Sequence, residues 1–233
     1  MTISTVGLDA DDTLWHSESH FAVTEERFRD LVSPWITADE AGSRLLERER
    51  ANLAVFGYGV KGFTLSMIET AIESSNGTVG AEAVQQIIDW GKEMQAHPVE
   101  LLAGVSETID HLTERVELVL ITKGDLFHQE SKIAESGLAE RFSHIEILSE
   151  KSPEQYQRVL DRCGVDPSQF LMVGNSLRSD VLPVIDIGAE GAHIPYGITW
   201  GHETVDCSGI EPTWHQLEEI AQLPALVDRL NAR

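Results

Sequence analysis

The sequence predicts a doubly wound α/β fold, in which a parallel sheet lies between two layers of helices, with an inserted all-α helical cap. Short apolar runs rich in β-branched residues recur along the chain, and amphipathic helical patterns separate the last four of them. Runs that are apolar on both faces, such as Leu118–Ile121, are typical of central parallel strands. The predicted strands are Ile3–Leu8, Glu117–Thr122, His144–Leu148, Phe170–Gly174 and Ala192–Pro195.

The long stretch between the first two predicted strands shows helical patterns and no strand pattern. Turn-forming Gly, Pro, Asn and Ser residues mark the joints between its helices. We therefore expect residues 17–96 to form a helical cap, and residues 1–16 and 97–233 to form the α/β core. The helical patterns cover residues 19–33, 37–54, 61–74 and 80–95.

Composition and charge narrow the classes of partner. The 233 residues carry a formal net charge of 17 − 39 = −22, which repels phosphate backbones and anionic bilayers, so nucleic-acid and membrane partners are disfavoured. The N-terminus shows no basic region followed by an apolar stretch. Cys163 and Cys207 have neither the number nor the spacing of a disulfide framework or zinc site. We expect reduced thiols and a cytoplasmic protein. The sequence does not predict its oligomeric state.

The residues directly after each strand carry the chemistry, because ligands of an open parallel sheet bind beyond the carboxyl ends of its strands. After the first strand, Asp9, Asp11 and Asp12 place three carboxylates within four positions. Like charges this close raise one another's pKa, and a hard divalent cation with oxygen ligands relieves that conflict. The alternative interpretation is an acidic turn that caps a helix.

The second and third strands end in groups suited to phosphate. Thr122 and Lys123 precede a glycine turn, where a hydroxyl and backbone N–H groups suit a phosphate oxygen. Lys151 stands just before a helix whose start is marked by Ser152 as N-cap and by Pro153. A lysine fixed there can present a point charge to a phosphoryl group. The alternative interpretations are that Thr122 is an ordinary strand residue and that Lys151 is a solvated surface residue.

The fourth strand ends in the segment Gly174–Asp180, a glycine turn followed by an amide, two hydroxyls and a carboxylate. Asn175 and Asp180 supply oxygen ligands suited to a hard cation. Alternatively, Asn175 satisfies the turn and Asp180 favours the helix dipole. The case for an active site rests on all four strand ends together, because they supply, in chain order, a carboxylate pair, a hydroxyl, a lysine and an oxygen-rich loop.

In this order, the four strand ends resemble the four motifs of the haloacid dehalogenase-like (HAD) hydrolase superfamily. Members of this superfamily have a Rossmannoid core, and in one class a helical cap is inserted after the first motif, as the resemblance implies here. The resemblance spans residues 6 to 195. The segment Asp9–Thr13 resembles the first motif, Asp-x-Asp-x-Thr. Thr122 resembles the second motif, Lys151 the third, and Gly174–Asp180 the fourth.

The resemblance implies a Mg²⁺-dependent phosphatase for a small phosphorylated metabolite. Asp9 would be the nucleophile that attacks phosphorus, and Asp11 would protonate the leaving alkoxide and later activate water. Thr122 and Lys151, with Lys123 beside them, would hold phosphoryl oxygens. The metal ligands would be Asp9, the main-chain carbonyl of Asp11, and Asn175 or Asp180.

Two residues depart from the family pattern. Asn175 stands where most relatives have a metal-ligating aspartate, so we expect Asp180 to supply the missing carboxylate. Asp12 replaces a common glycine and restricts the turn.

Several alternatives stay open. They are haloacid dehalogenation, phosphomutase chemistry, phosphonate cleavage with Lys61 as a conceivable Schiff base, and a non-catalytic binding protein. Asp11 and the acidic fourth loop favour phosphate chemistry. Aromatic and cationic residues of the cap and its joints are candidates for specificity, namely Trp15, His16, Phe56, Tyr58, Lys61 and Phe63.

Overall fold

A computed structural model describes residues 2–198, 200–205 and 213–232 of the chain, so Cys207 lies outside the described residues. The chain divides into two compact units. The domain boundaries expected from the sequence stay a prediction. The α/β unit comprises Met1–His16, Val99–Lys123 and Gln129–Arg233, and the helical unit comprises Ser17–Pro98 and Gly124–His128.

The α/β unit contains one parallel sheet with strand order β3-β2-β1-β4-β5-β6, which confirms the predicted fold class. The fifth strand starts two residues before its predicted position, and the sixth, only two residues long, was not predicted because it is too short to show a pattern. The strands are β1 Thr5–Leu8, β2 Glu117–Lys123, β3 His144–Leu148, β4 Phe170–Gly174, β5 Glu190–His193 and β6 His215–Gln216.

Alternating side chains of β2 pack on opposite faces of the sheet. Leu118 and Leu120 belong to the apolar cluster that includes α5 (Val105–Thr113) and α9 (Leu223–Asn231). Val119 and Ile121 belong to a second cluster with α7 (Pro153–Cys163). Because both faces are covered, the strand sequence is continuously apolar, as expected for a doubly wound sheet. Two further α-helices follow β2 in the chain, α6 (Leu126–Glu135) and α8 (Leu182–Ile185).

Within the helical unit, the segment Ser17–Pro98 forms four helices around an apolar core of its own. The core contains Phe28, Leu45, Met67 and Ile87, each at most 1% exposed. A capping box between Thr37 and Glu40 fixes the start of the second helix. The helices are α1 Glu18–Val32, α2 Ala38–Phe56, α3 Val60–Ser74 and α4 Ala81–Gln95, close to the predicted ranges. Among the described residues, none of the helices has the length and apolar character needed to cross a membrane.

The strand β1 lies between β2 and β4, where the strand order reverses direction along the sheet. Leu8 at its carboxyl end is in register with Leu120 and Val173. The backbone N–H of Asp9 continues this pairing by donating to Val173 O at 2.9 Å. The loops after β1, β2 and β4 therefore start side by side at the position where ligands bind in such sheets.

Candidate active site

The centre of the site is a buried ion triad of Asp9, Lys151 and Asp180. The Lys151 ammonium donates to Asp9 Oδ1 at 2.5 Å and to Asp180 Oδ1 at 2.6 Å. The lysine side chain is 2% exposed and the carboxylates 9% and 1%, so no bulk water screens the charges. The Ser152 N-cap, whose hydroxyl accepts from Gln155 N, fixes the start of α7 and so the position of Lys151.

The hydroxyl of Thr13 connects the first loop with the fourth. Thr13 Oγ1 lies 3.1 Å from Asp9 Oδ2 and 3.4 Å from Asn175 Oδ1, and it accepts the Asn175 backbone N–H at 3.1 Å. A hydroxyl has one proton to donate, so the shorter contact with Asp9 is the favoured hydrogen bond. Asp9 is thereby held in one orientation from two sides.

The triad contains two acids and one cation, and burial together with this arrangement changes the pKa of Asp9. Burial raises the pKa of Asp9 to about 7, the attraction of Lys151 opposes that rise, and Asp180 adds to it. Burial lowers the pKa of Lys151, but Asp180 and Asp9 outweigh it and raise that pKa well above its ordinary value. Lys151 is therefore a permanent cation, and Asp9 lacks full compensation.

The fourth loop brings Asp180 close to the backbone through Gly174. A Cβ atom at Gly174 would lie 2.2 Å from Asp180 Oδ2, a distance that only glycine avoids. The same carboxylate oxygen accepts the Ser176 backbone N–H at 3.0 Å. A single π-helical turn, Leu177–Val181, carries Asp180, and Tyr156 donates its hydroxyl to Ser179 O at 2.9 Å. Such turns are frequent at functional sites.

Asp11 lies in a separate environment of three donors. Trp15 Nε1 and Lys132 Nζ each donate to Asp11 Oδ1 at 2.6 Å, and Gln129 Nε2 lies 3.0 Å from Asp11 Oδ2. Partial burial raises the pKa of Asp11, but the charge of Lys132 and these hydrogen bonds outweigh it and lower that pKa below its ordinary value. Asp11 is therefore held as a carboxylate.

Gln129 links Asp11 to the end of β2. Its side-chain Nε2 also lies 3.0 Å from Thr122 Oγ1 and 2.8 Å from Lys123 O, so two protons serve three acceptors. Gln129 Oε1 is buried with no hydrogen-bond partner among the described residues. One amide thus fixes the relative positions of the predicted acid/base and the predicted phosphate-binding hydroxyl.

Asp12 adopts a left-handed backbone conformation, with φ of 61°. This conformation favours glycine, which gives a physical reason for the glycine common at this motif position. The turn is held by the Asp12 backbone N–H, which donates to Trp15 O at 2.7 Å.

A second charged cluster lies next to the triad and contains Lys123 and Glu203. Glu203 accepts hydrogen bonds from Lys123 Nζ, from Ser176 Oγ at 2.5 Å and from Ser179 Oγ at 2.6 Å. Burial raises the pKa of Glu203, but the charge of Lys123 and these three hydrogen bonds lower it to about 2. Lys123, predicted to bind phosphate, thus already has an anionic partner.

Oxygen donors around the triad fit a hard cation. Asp9, Asp180 and the Asn175 amide offer oxygen ligands, and burial raises the pKa of Asp9 although Lys151 lies against it. No group of three His, Cys, Asp or Glu side chains in the described part of the chain is arranged to hold a metal. An amide or main-chain oxygen would therefore have to complete the ligand set.

The structure brings together most of the residues predicted from the sequence and adds others. Asp9, Lys151 and Asp180 meet directly, Asn175 joins them through Thr13, and Asp11 and Thr122 share Gln129. The sequence-based reasoning missed Gln129, Lys132, Tyr156 and Glu203. A polar pair spaced three apart on one helix face was the only available signal for Gln129 and Lys132.

Residues considered for specificity have other contacts. Trp15 is 1% exposed and donates to Asp11, and Phe63 is 5% exposed in the core of the helical unit. Lys61 pairs with Asp125 at 2.8 Å and lies 5.5 Å from the Phe127 ring centroid. Trp15 and Phe63 therefore serve packing and positioning.

Comparisons with known proteins establish the class of the protein as a hydrolase. The family model described as haloacid dehalogenase-like hydrolase matches residues 3–188, and the chain belongs to this family. A haloacid dehalogenase-like family hydrolase from Xanthomonas campestris is 43% identical, with a TM-score of 0.89, over 99% of this chain and 93% of its own. No curated protein matches the chain.

More distant solved structures share the fold. A 2-haloacid dehalogenase from Pseudomonas syringae is 20% identical, with a TM-score of 0.62, over 98% of this chain and 99% of its own. A HAD phosphatase from Thermococcus onnurineus is 18% identical, also with a TM-score of 0.62, over 96% of this chain and 97% of its own. Neighbours of both activities have the same fold, so the activity has to be argued from the site.

Proposed function

We propose that the chain is a cytoplasmic, Mg²⁺-dependent phosphatase that hydrolyses a small phosphate monoester through an aspartyl-phosphate intermediate. The observation that carries this proposal is the second carboxylate, Asp11, held as an anion by three donors beside Thr122. Hydrolysis of an aspartyl phosphate needs a base for water, and Asp11 stands two residues from the proposed nucleophile. The acidic net charge of −22 favours a small-molecule substrate over a nucleic acid.

In the first step, a carboxylate oxygen of Asp9 forms a bond to phosphorus while the bond from phosphorus to the leaving oxygen breaks. Thr13 and Lys151 orient the Asp9 carboxylate. Lys151 and Thr122 hold phosphoryl oxygens, and Lys151 offsets part of the developing charge. Asp9, the main-chain carbonyl of Asp11, and Asn175 or Asp180 would hold Mg²⁺, whose positive charge would shield the nucleophile from the substrate dianion.

In the second step, Asp11 takes a proton from water, whose oxygen attacks phosphorus. The bond from phosphorus to Asp9 breaks, inorganic phosphate leaves, and the Asp9 carboxylate is restored. Asp11 then releases the proton to the solvent, which also protonates the departed leaving group. The donors around Asp11 suit this base role, because they stabilise its anionic form. The acid role of the first step needs a proton on Asp11, so leaving groups that are stable as anions are the favoured substrates.

A second candidate function is dehalogenation of a small haloacid. It is supported by Asn175 in place of a carboxylate and by Lys151, which already neutralises part of the charge on Asp9 and Asp180. In that reaction Asp9 would displace halide from carbon, and water would then hydrolyse the ester. Halide release from 2-haloacids and phosphate release from phosphomonoesters, measured side by side, distinguish the two functions.

The decisive test is hydrolysis of p-nitrophenyl phosphate with and without Mg²⁺ by the wild type and Asp9→Asn. Asp89→Asn is the matched control, because Asp89 forms an exposed ion pair with Lys92 at 2.8 Å. We expect Mg²⁺-dependent activity in the wild type and the control and none in Asp9→Asn. Full activity in Asp9→Asn would exclude the nucleophile assignment. A screen of phosphorylated metabolites for free phosphate release then identifies the substrate and separates a phosphatase from a mutase.

A further inference from the structure

A carboxylate far along the chain contacts the fourth loop. Glu203 lies 27 residues after Ser176 and accepts the hydroxyls of Ser176 and Ser179 at 2.5 and 2.6 Å. Its side chain is 12% exposed. An acid this buried costs free energy unless it is paired and hydrogen-bonded, and Glu203 is both. The proposed reaction does not use it.

The segment around Glu203 makes a second contact with the same loop. Arg178 Nη1 donates to His202 O at 2.7 Å. Two consecutive residues, His202 and Glu203, therefore bind Ser176, Arg178 and Ser179, which are three of the four residues directly before Asp180. These contacts are independent of the hydrogen bond that Asp180 itself receives from Ser176 N.

Glu203 also connects the fourth loop to the end of β2. Lys123, the last residue of β2, donates to Glu203 and, at 2.8 Å, to Ser179 Oγ. Ser179 Oγ thus accepts a hydrogen bond from Lys123 and donates its single proton to Glu203, so the hydroxyl acts as acceptor and donor at once. The lysine, the acid and the hydroxyl form a closed network, and closed buried networks rigidify their members.

We propose that Glu203 is a positioning residue of the active site: by fixing Lys123, Ser176 and Ser179 it holds the fourth loop so that Asp180 meets Lys151. The inference rests on the proposed phosphatase function, and it adds a residue from outside the four motif segments to the machinery of that site. Glu203 acts through its neighbours and does not touch the phosphoryl group.

The charge of Glu203 is needed as well as its shape. Glu203→Gln keeps the volume but has one acceptor oxygen in place of two. The hydroxyls of Ser176 and Ser179 donate to one oxygen of Glu203 and Lys123 donates to the other, so the new N–H₂ group has to face either the hydroxyls or the ammonium. Lys123 or Ser179 must then find another partner, and the residue after Ser179 is Asp180. We expect kcat to fall by about 10–100-fold, as for outer partners of ligating groups, with KM changed less than about 2-fold.

The test compares five proteins with p-nitrophenyl phosphate: wild type, Glu203→Gln, Glu190→Gln, Lys123→Met and Lys123→Met/Glu203→Leu. Glu190 is the matched control because its partly exposed carboxylate lies within hydrogen-bond distance of His215 Nε2, at 2.7 Å. Wild-type hydrolysis is measured first, and its absence would overturn the proposed function. With an active wild type, an unchanged kcat in Glu203→Gln would overturn the positioning role alone.

Urea unfolding separates positioning from a general loss of folding. The inference predicts a lower kcat in Glu203→Gln under conditions in which the variant is fully folded, with KM retained. The double variant Lys123→Met/Glu203→Leu removes both charges of the pair, which is tolerated better than removal of one, and its leucine cannot accept from Ser176 or Ser179. Should Glu203→Gln not fold, the double variant is compared with Lys123→Met, so that the loss of Lys123 is common to both. Equal kcat values in these two folded proteins would overturn the inference, and a lower kcat in the double variant supports it.

Discussion

The two aspartates of the first loop stand two residues apart and lie in opposite electrostatic surroundings. The Asp9 cluster, Asp9 with Lys151 and Asp180, contains two acids for one cation, and the pKa of Asp9 rises to about 7 through burial, against Lys151. Asp11 has its own lysine and two neutral donors, and its pKa falls. Groups of the same type acquire different tasks when their surroundings push their pKa values apart.

The largest expected effect is that of Asp9→Asn, which should reduce kcat by about 10⁴-fold or more because the proposed nucleophile is lost. The same change should stabilise the fold. A carboxyl whose pKa is raised to about 7 contributes stability below its unfolded pKa of about 4, and this is lost as the pH rises to 7. At pH 8, Asp9→Asn should therefore unfold at a higher urea concentration than wild type, with a free energy of unfolding larger by about 1–3 kcal/mol. Near pH 4 the difference in free energy should be smaller.

Asp89→Asn, at an exposed position, serves as the control for these unfolding measurements and should follow the wild type at both pH values. An Asp9→Asn protein no more stable than wild type at pH 8 would contradict the excess of negative charge in the Asp9 cluster. Measurements are made without divalent cations, since a cation bound to the folded state adds its own stabilisation.

The next effect compares the two lysines. Lys151→Met leaves two buried carboxylates without their cation and should cost about 3–5 kcal/mol of the free energy of unfolding at pH 8. Lys132→Met should cost less, about 1–2 kcal/mol, because Asp11 is 28% exposed and keeps the donors Trp15 and Gln129. Urea unfolding of both variants checks the order. Equal losses of unfolding free energy in the two variants would mean that the Asp9 cluster depends on Lys151 no more than Asp11 depends on Lys132.

A smaller effect is expected from Gly174→Ala, which perturbs the Asp9 cluster alone. The added Cβ would lie 2.2 Å from Asp180 Oδ2, so this carboxylate must move away from its position against the backbone. We expect kcat to fall by about 10–100-fold and the free energy of unfolding by about 1–3 kcal/mol. Gly80→Ala is the control, because a Cβ at Gly80 meets no atom within 4 Å. Unchanged activity in Gly174→Ala would show that Asp180 is not needed in this place.

The sequence indicated that Asp9, Lys151 and Asp180 lie near one another for a topological reason: the carboxyl ends of parallel strands converge, so the loops after them are brought to one edge of the sheet. The contacts of Asp11 escaped prediction because Gln129 and Lys132 lie on a helix whose polar face resembles any solvated face. Glu203 escaped because it lies in a loop with no periodic pattern. The functional roles and the metal ligands stay predictions.

The smallest effect tests the Asp11 surroundings through the leaving group. Because Lys132 holds Asp11 as an anion, wild type should hydrolyse p-nitrophenyl phosphate far faster than an alkyl phosphate such as glycerol phosphate, whose leaving oxygen needs a proton. Lys132→Met raises the pKa of Asp11 and lets it carry that proton, so the ratio of the two kcat/KM values at pH 6.5 should fall by about 10-fold. Lys92→Met, at an exposed pair, is the control and should leave the ratio unchanged. A ratio that stays constant or rises in Lys132→Met would show that the charge of Lys132 does not govern proton transfer by Asp11.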